Sequence, residues 1–145
     1  MMEIVDYAND SHRDQVIRLW DGAFSYGTAH NVPALGIDKK LAVDDGLFFV
    51  ALTHGAVVGT VLAGYDGHRG WLYSVAVDPA SRSRGIGSAL VAHAERALTE
   101  RGCMKINLQI APGNDTVAAF YEALGYVVEP RISMGKRVVA NIPGA

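Results

Sequence analysis

At 145 residues, half of them hydrophobic and 19% charged, the chain has the size and composition of one domain with a buried core, which excludes a disordered segment. A net charge of −2 supplies no global positive field for nucleic acid or an anionic membrane. The lone Cys103 excludes an internal disulfide, and the longest apolar run, residues 47–52, is too short to span a bilayer. Acidic Glu3 and Asp6 stand where a signal peptide carries basic residues, so the expectation is a single domain over residues 1–145 in the cytoplasm, with no membrane or nucleic-acid partner.

Residues 3–7 read as a short strand. Asn9, Asp10 and Ser11 then supply capping oxygens for a helix with Val16, Leu19, Trp20 and Phe24 on one side. Gly22, Gly27 and the Asn31-Val32-Pro33 run break that helix, and residues 38–43 form a second, shorter one that ends before Asp45-Gly46. Residues 47–53 and 56–65 are apolar strands joined at His54-Gly55, a hairpin signal. The turn Asp66-Gly67-His68-Arg69-Gly70 leads into a third strand, 71–78. Ile86, Leu90, Ala94 and Leu98 recur every four residues, predicting a helix over 85–101 that Gly102 stops. Residues 105–110 read as a strand, and Asn114 caps a helix bearing Val117, Phe120, Tyr121 and Leu124, closed by Gly125. Residues 126–129 and 132–139 read as closing strands. The order predicts an α/β domain with a mixed, mostly antiparallel sheet of six to seven strands and helices on both faces.

The stretch Val75-Ala76-Val77-Asp78-Pro79-Ala80-Ser81-Arg82-Ser83-Arg84-Gly85-Ile86-Gly87-Ser88 is a strand, a turn, a basic glycine-rich loop and a helix start. Unpaired N–H groups at the positive end of a helix dipole make an anion site there, and phosphate is the commonest biological anion. A P-loop needs Gly-Lys-Ser/Thr where Gly87-Ser88-Ala89 stands, and a dinucleotide fingerprint needs a small residue where Leu90 stands, within a parallel βαβ unit rather than a meander. The pattern Gln/Arg-x-x-Gly-x-Gly/Ala fits Arg82 to Gly87.

With the downstream run Asn114…Ala118-x-Phe120-Tyr121-Glu122-x-Leu124-Gly125-Tyr126, the chain resembles the GNAT superfamily of acetyl-CoA-dependent N-acetyltransferases over nearly its whole length. Residues 65–70 and Gly135-Lys136-Arg137 are similar to the small bacterial YpeA-type members. The resemblance implies that amides of Ser83, Arg84, Gly85, Ile86, Gly87 and Ser88 cradle the coenzyme A pyrophosphate, with Arg82 and Arg84 adding charge. It implies that Val75, Ala76 and Val77 present backbone groups to the pantetheine arm, and that a bulge in their strand aims one amide at the thioester carbonyl. It further implies that Asn114 contacts the coenzyme as well as capping its helix, and that Tyr121 is the general acid for the departing thiolate. No metal is expected, homodimers are common in the fold, and acetyl transfer goes by direct attack of an amine in a ternary complex.

Two base positions of better-known members are vacant: Trp71 stands where histone-type enzymes carry glutamate, and Gln109 where enzymes acting on protein N-termini do. Asp66, His68, Tyr73, Asp21 and His30 are the other candidates, and ordered water is an alternative to all of them; Asp66 and His68 also read simply as turn residues. The vacancies leave room for a second reading, a module that binds acetyl-CoA as a sensor or subunit, and for a third, a regulator reading another nucleotide. The acceptor, a small molecule, an amino acid or a peptide, is expected against residues 22–35, which offer Phe24, Tyr26, His30 and Asn31.

Overall fold

In a computed structural model, which describes residues 1–24 and 32–139, strand β1 (Met2–Asp6) is followed by helices α1 (Asn9–Ala23) and α2 (Val32–Val43). Three antiparallel strands come next, β2 (Phe48–Thr53), β3 (Ala56–Tyr65) and β4 (Gly70–Val77). A 3₁₀ turn at Pro79–Ser81, helix α3 (Ile86–Glu100), a two-residue strand β5 (Ile106–Asn107) and helix α4 (Asp115–Ala123) complete the order. The sheet runs β1-β2-β3-β4-β5, with β4 and β5 parallel and the other pairs antiparallel.

Alternation along β2 divides the core in two. Leu47, Phe49 and Ala51 face α3 and α4, joining Val61, Ala63 and Leu72 against Ile86, Leu90, Val91, Ala94, Leu98 and Tyr121. Phe48 and Val50 face the other way, joining Leu62 and Ala76 against Val16 and Trp20 of α1 and Ile37 of α2. The His54-Gly55 hairpin forms as its residues require, with φ of 51° and 78°.

Four expectations are corrected. Helix α2 begins at Val32 rather than 38, because a proline in the first turn gives up only an N–H that has no intrahelical partner. The N-cap of α1 is Ala8, without a side-chain cap; its N–H is instead accepted by Nδ1 of His12 at 2.9 Å. Of the strand expected over 105–110 only Ile106 and Asn107 pair in the sheet. The closing strands expected over 126–129 and 132–139 are absent from the ladder, which has five strands among the described residues; the segment instead meets residues 105–109 through side chains, Lys105 and Asn107 to Glu129 and Gln109 to Ser133.

Candidate active site

Strand β4 carries an irregularity that β3 does not match. Thr60 pairs with Ala76 and Leu62 with Tyr73, so Ser74 and Val75 together oppose Val61. This is a β-bulge, and Ser74 sits in it at φ 49°, a left-handed conformation that costs a non-glycine residue about 1–2 kcal/mol. The extra residue reverses the facing of the strand. Leu72 lies against the α3 layer and Tyr73 against the α1–α2 layer, but beyond the bulge Val75 and Val77 pack on the α3 side and Ala76 on the α1 side.

On its other edge β4 pairs with β5 only at Gly70–Ile106 and Trp71–Asn107. From Leu72 to Val77 that edge has no strand partner among the described residues, so the sheet splits where the bulge lies. Trp71 and Tyr73 are exposed beside the split. Lys40 of α2, itself buried, holds its ammonium 5.5 Å from the centre of the Tyr73 ring while donating to the Ala63 carbonyl and to Asp45. Lys40 escaped the sequence reading because a lysine on a short, weakly patterned helix gives no sign that it is buried.

The glycine-rich loop joins the same end of β4. Arg82, Ser83, Arg84 and Gly85 are exposed, and the Arg82 Nε donates back to the Val77 carbonyl at 3.4 Å. Ser83 and Gly85 take φ of 66° and 77°, which turns the chain into α3 with Gly85 as N-cap and no side-chain cap. The first-turn amides of a fifteen-residue helix are thus left for an outside acceptor. The two glycines serve different ends: a Cβ at Gly85 would meet nothing, and its demand is conformational, whereas a Cβ at Gly87 would lie 3.2 Å from Cζ of Phe120. The side chain of Ile86 is buried in the core, leaving only its backbone to the loop.

Helix α4 reaches this loop through Phe120. Asn114 is its N-cap, but the expected side-chain cap is absent, so the amide side chain is not committed to the helix. Tyr121, two turns further on the same face, is 7% exposed and meets Phe120 and Tyr126 edge to face at 4.9 and 5.6 Å. Burial pushes its hydroxyl up to about 12, so it stays protonated at neutral pH.

The base candidates divide. Asp66 accepts the N–H groups of Arg69 and His68, each at 2.7 Å, and these bonds hold its carboxyl below the usual carboxylate range. It is a turn residue at the far end of β4, roughly 17 Å of strand from Val75. His68 shares that turn, with its ring beside Arg69. Tyr73 is one residue from the bulge. Gln109 is bound to Ser133, and His30, with Tyr26 and Asn31, lies outside the described residues.

The model of the acetyltransferase (GNAT) family matches residues 13–126. The chain belongs to the GNAT acetyltransferase family. Among its GNAT relatives is an acetyltransferase of Yersinia pestis (strain Pestoides F), 39% identical over 140 residues, which are 97% of this chain and 98% of that one. Another from Yersinia enterocolitica is 41% identical over 128 residues, covering 88% and 90%. Solved GNAT structures share the fold. The aminoglycoside N-acetyltransferase AAC(6')-Iy in complex with CoA superposes with a TM-score of 0.79 at 21% identity, covering 96% of each chain. The PaiA N-acetyltransferase of Thermoplasma acidophilum, also with coenzyme A, gives 0.75 at 17%, covering 91% and 93%. As a GNAT protein the chain is an N-acetyltransferase whose cosubstrate is acetyl-CoA.

Proposed function

We propose that the chain acetylates the amine of a small molecule, an amino acid or a peptide by direct attack, with acetyl-CoA held in the split of the sheet. The observation that carries this reading is the coincidence, at one end of β4, of an unpaired strand edge, a bulge and an uncapped helix N-terminus. The amides of Ser83, Arg84, Gly85, Ile86, Gly87 and Ser88 suit a pyrophosphate, which the exposed Arg82 and Arg84 attract. The free edge of Val75, Ala76 and Val77 suits the amide groups of a pantetheine arm, as an added strand would, and Asn114 offers its side-chain amide to the same ligand. Acetyl-CoA supplies the activated acyl group.

The N–H of Val75, in the bulge, donates to the thioester carbonyl and stabilises charge as it builds on that oxygen. Tyr121 gives its proton to the leaving sulfur, a role that suits a hydroxyl kept neutral by burial. The amine sheds its proton to solvent or through Tyr73, since Asp66 is engaged in its turn. The acceptor lies on the α1–α2 side, against Trp71 and Tyr73. AAC(6')-Iy has been captured with a bisubstrate analogue of CoA and acetylneamine, a precedent in this fold for both substrates being held at once.

Calorimetric titration with acetyl-CoA, followed by a free-thiol assay across aminoglycosides, amino sugars, polyamines, amino acids and short peptides, tests the reading. Binding, and thiol release with one class of amine, is expected. Acetyl-CoA binding without thiol release from any of them would instead mark a sensor.

A further inference from the structure

Thr60 is a hydroxyl at the centre of the molecule with no solvent exposure, in a strand otherwise made of apolar residues and glycine. Its Oγ1 accepts the indole N–H of Trp20 at 2.9 Å and donates to the Ser74 carbonyl at 2.8 Å. Trp20 is itself fixed, 2% exposed and stacked on Phe48 at 5.8 Å. A rigid aromatic in one layer is thus linked through a single hydroxyl to the bulge residue whose backbone is strained.

The direction of that link matters because the Ser74–Val75 peptide is planar and trans. Its C=O and N–H point opposite ways. A Ser74 carbonyl drawn toward Thr60, on β3 and the α1 side, turns the Val75 N–H toward the edge of β4 that β5 has left. Without the hydroxyl the peptide is free to rotate toward a less strained bulge, carrying the N–H with it.

We propose that the Trp20–Thr60–Ser74 chain is a positioning device that sets the aim of the Val75 amide, and that Thr60 is a positioning residue for acetyl transfer. The inference rests on the reading of Val75 as the donor to the thioester carbonyl. A hydroxyl that merely satisfied the Trp20 N–H would leave that aim unaffected, and this difference is measurable without knowing the acceptor.

The experiment is infrared difference spectroscopy of acetyl-CoA labelled with ¹³C at the thioester carbonyl, beside calorimetric titration of the same ligand. The native protein should bind acetyl-CoA and lower its carbonyl stretch. Thr60→Ser, which keeps the hydroxyl, should retain the shift. Thr60→Val should lose most of it while affinity changes by about threefold or less, since coenzyme contacts are spread over the loop. Thr60→Val also strands the Trp20 N–H, so Trp20→Phe/Thr60→Val, which removes both partners, guards against a folding defect. With any amine the native enzyme accepts, kcat should fall roughly 10- to 100-fold in the double variant, with KM for acetyl-CoA preserved. A double variant that binds acetyl-CoA with the full carbonyl shift overturns the positioning role. A native protein that binds without a shift removes Val75 as the donor, and one that does not bind removes the coenzyme site itself.

Discussion

At the scale of single residues, Tyr121, the acid of the proposed transfer, shows what burial does to a phenol. A tyrosine held to about 12 keeps its proton throughout the neutral range, so kcat should show no basic limb from this residue below about pH 10. Tyr121→Phe should lower kcat by about 10² and leave the Kd for acetyl-CoA nearly unchanged, checked by steady-state rates and titration; an unaltered kcat would remove it from the chemistry. The same shift bears on stability. The folded protein favours the neutral phenol, so the full contribution is present below pH 10 and is lost as pH rises from 10 toward 12, by about 2–3 kcal/mol, measurable by urea unfolding across that range. Asp66→Asn should change kcat little, since its Oδ1 ties the turn together through two backbone amides, roughly 17 Å of strand from Val75. Loss of activity in that variant with its fold intact would reopen the turn as the source of the base.

At the scale of elements, the loop divides the work between two glycines, and substitution should separate them. Gly85→Ala places a Cβ in a left-handed conformation and should weaken coenzyme A binding with a stability loss of about 1 kcal/mol. Gly87→Ala makes the Phe120 ring give by a few tenths of an ångström, a strain offset by the gain from replacing a helical glycine, so stability should change by about 1 kcal/mol or less, and kcat should respond more than coenzyme affinity because Phe120 packs on Tyr121. Thermal melts and paired titrations distinguish the two. The loop, α3 and α4 were legible because glycine placement, four-residue periodicity and a spaced Asn–Tyr pair are local signals, as were β2 and β3 with the hairpin between them. The bulge was less so. Its trace is the slip in β4, where the core residues run Leu72, Val75, Val77 instead of every second residue, but nothing local says that Ser74 adopts φ 49°. Thr60 and Lys40 carried no signal, since the contacts that bury each of them, Thr60 with Trp20 and Ser74 and Lys40 with Ala63, lie 14 to 40 positions away. The strands expected over 126–129 and 132–139 do not form, because β-propensity describes a residue that suits a pleated surface and does not supply the neighbour to pair with.

At the scale of the whole molecule, the sheet separates two cores, and the proposed site lies where β4 runs on past its last pairing with β5. Leu90 is fully buried between α3 and the sheet, and Leu90→Ala should cost about 2–5 kcal/mol by denaturant titration without touching a proposed ligand contact. Gly70, where β4 meets β5, leaves no room for a side chain: a Cβ there would lie 2.7 Å from Sγ of Cys103 and 3.1 Å from Cδ1 of Leu98. Gly70→Ala should therefore prise β5 from the sheet and impair coenzyme binding from a distance. The short contact between β4 and β5 has a dynamic consequence. Two residue pairs secure that edge, whereas β2 and β3 share a ladder of six. In hydrogen–deuterium exchange the Gly70 amide, which donates to the Lys105 carbonyl across that edge, should therefore lose its protection before the amides of the meander, through local openings that leave the meander closed. A cosubstrate that lies along β4 and closes the gap must disfavour the open edge at equilibrium by the same free energy with which the closed edge favours its binding.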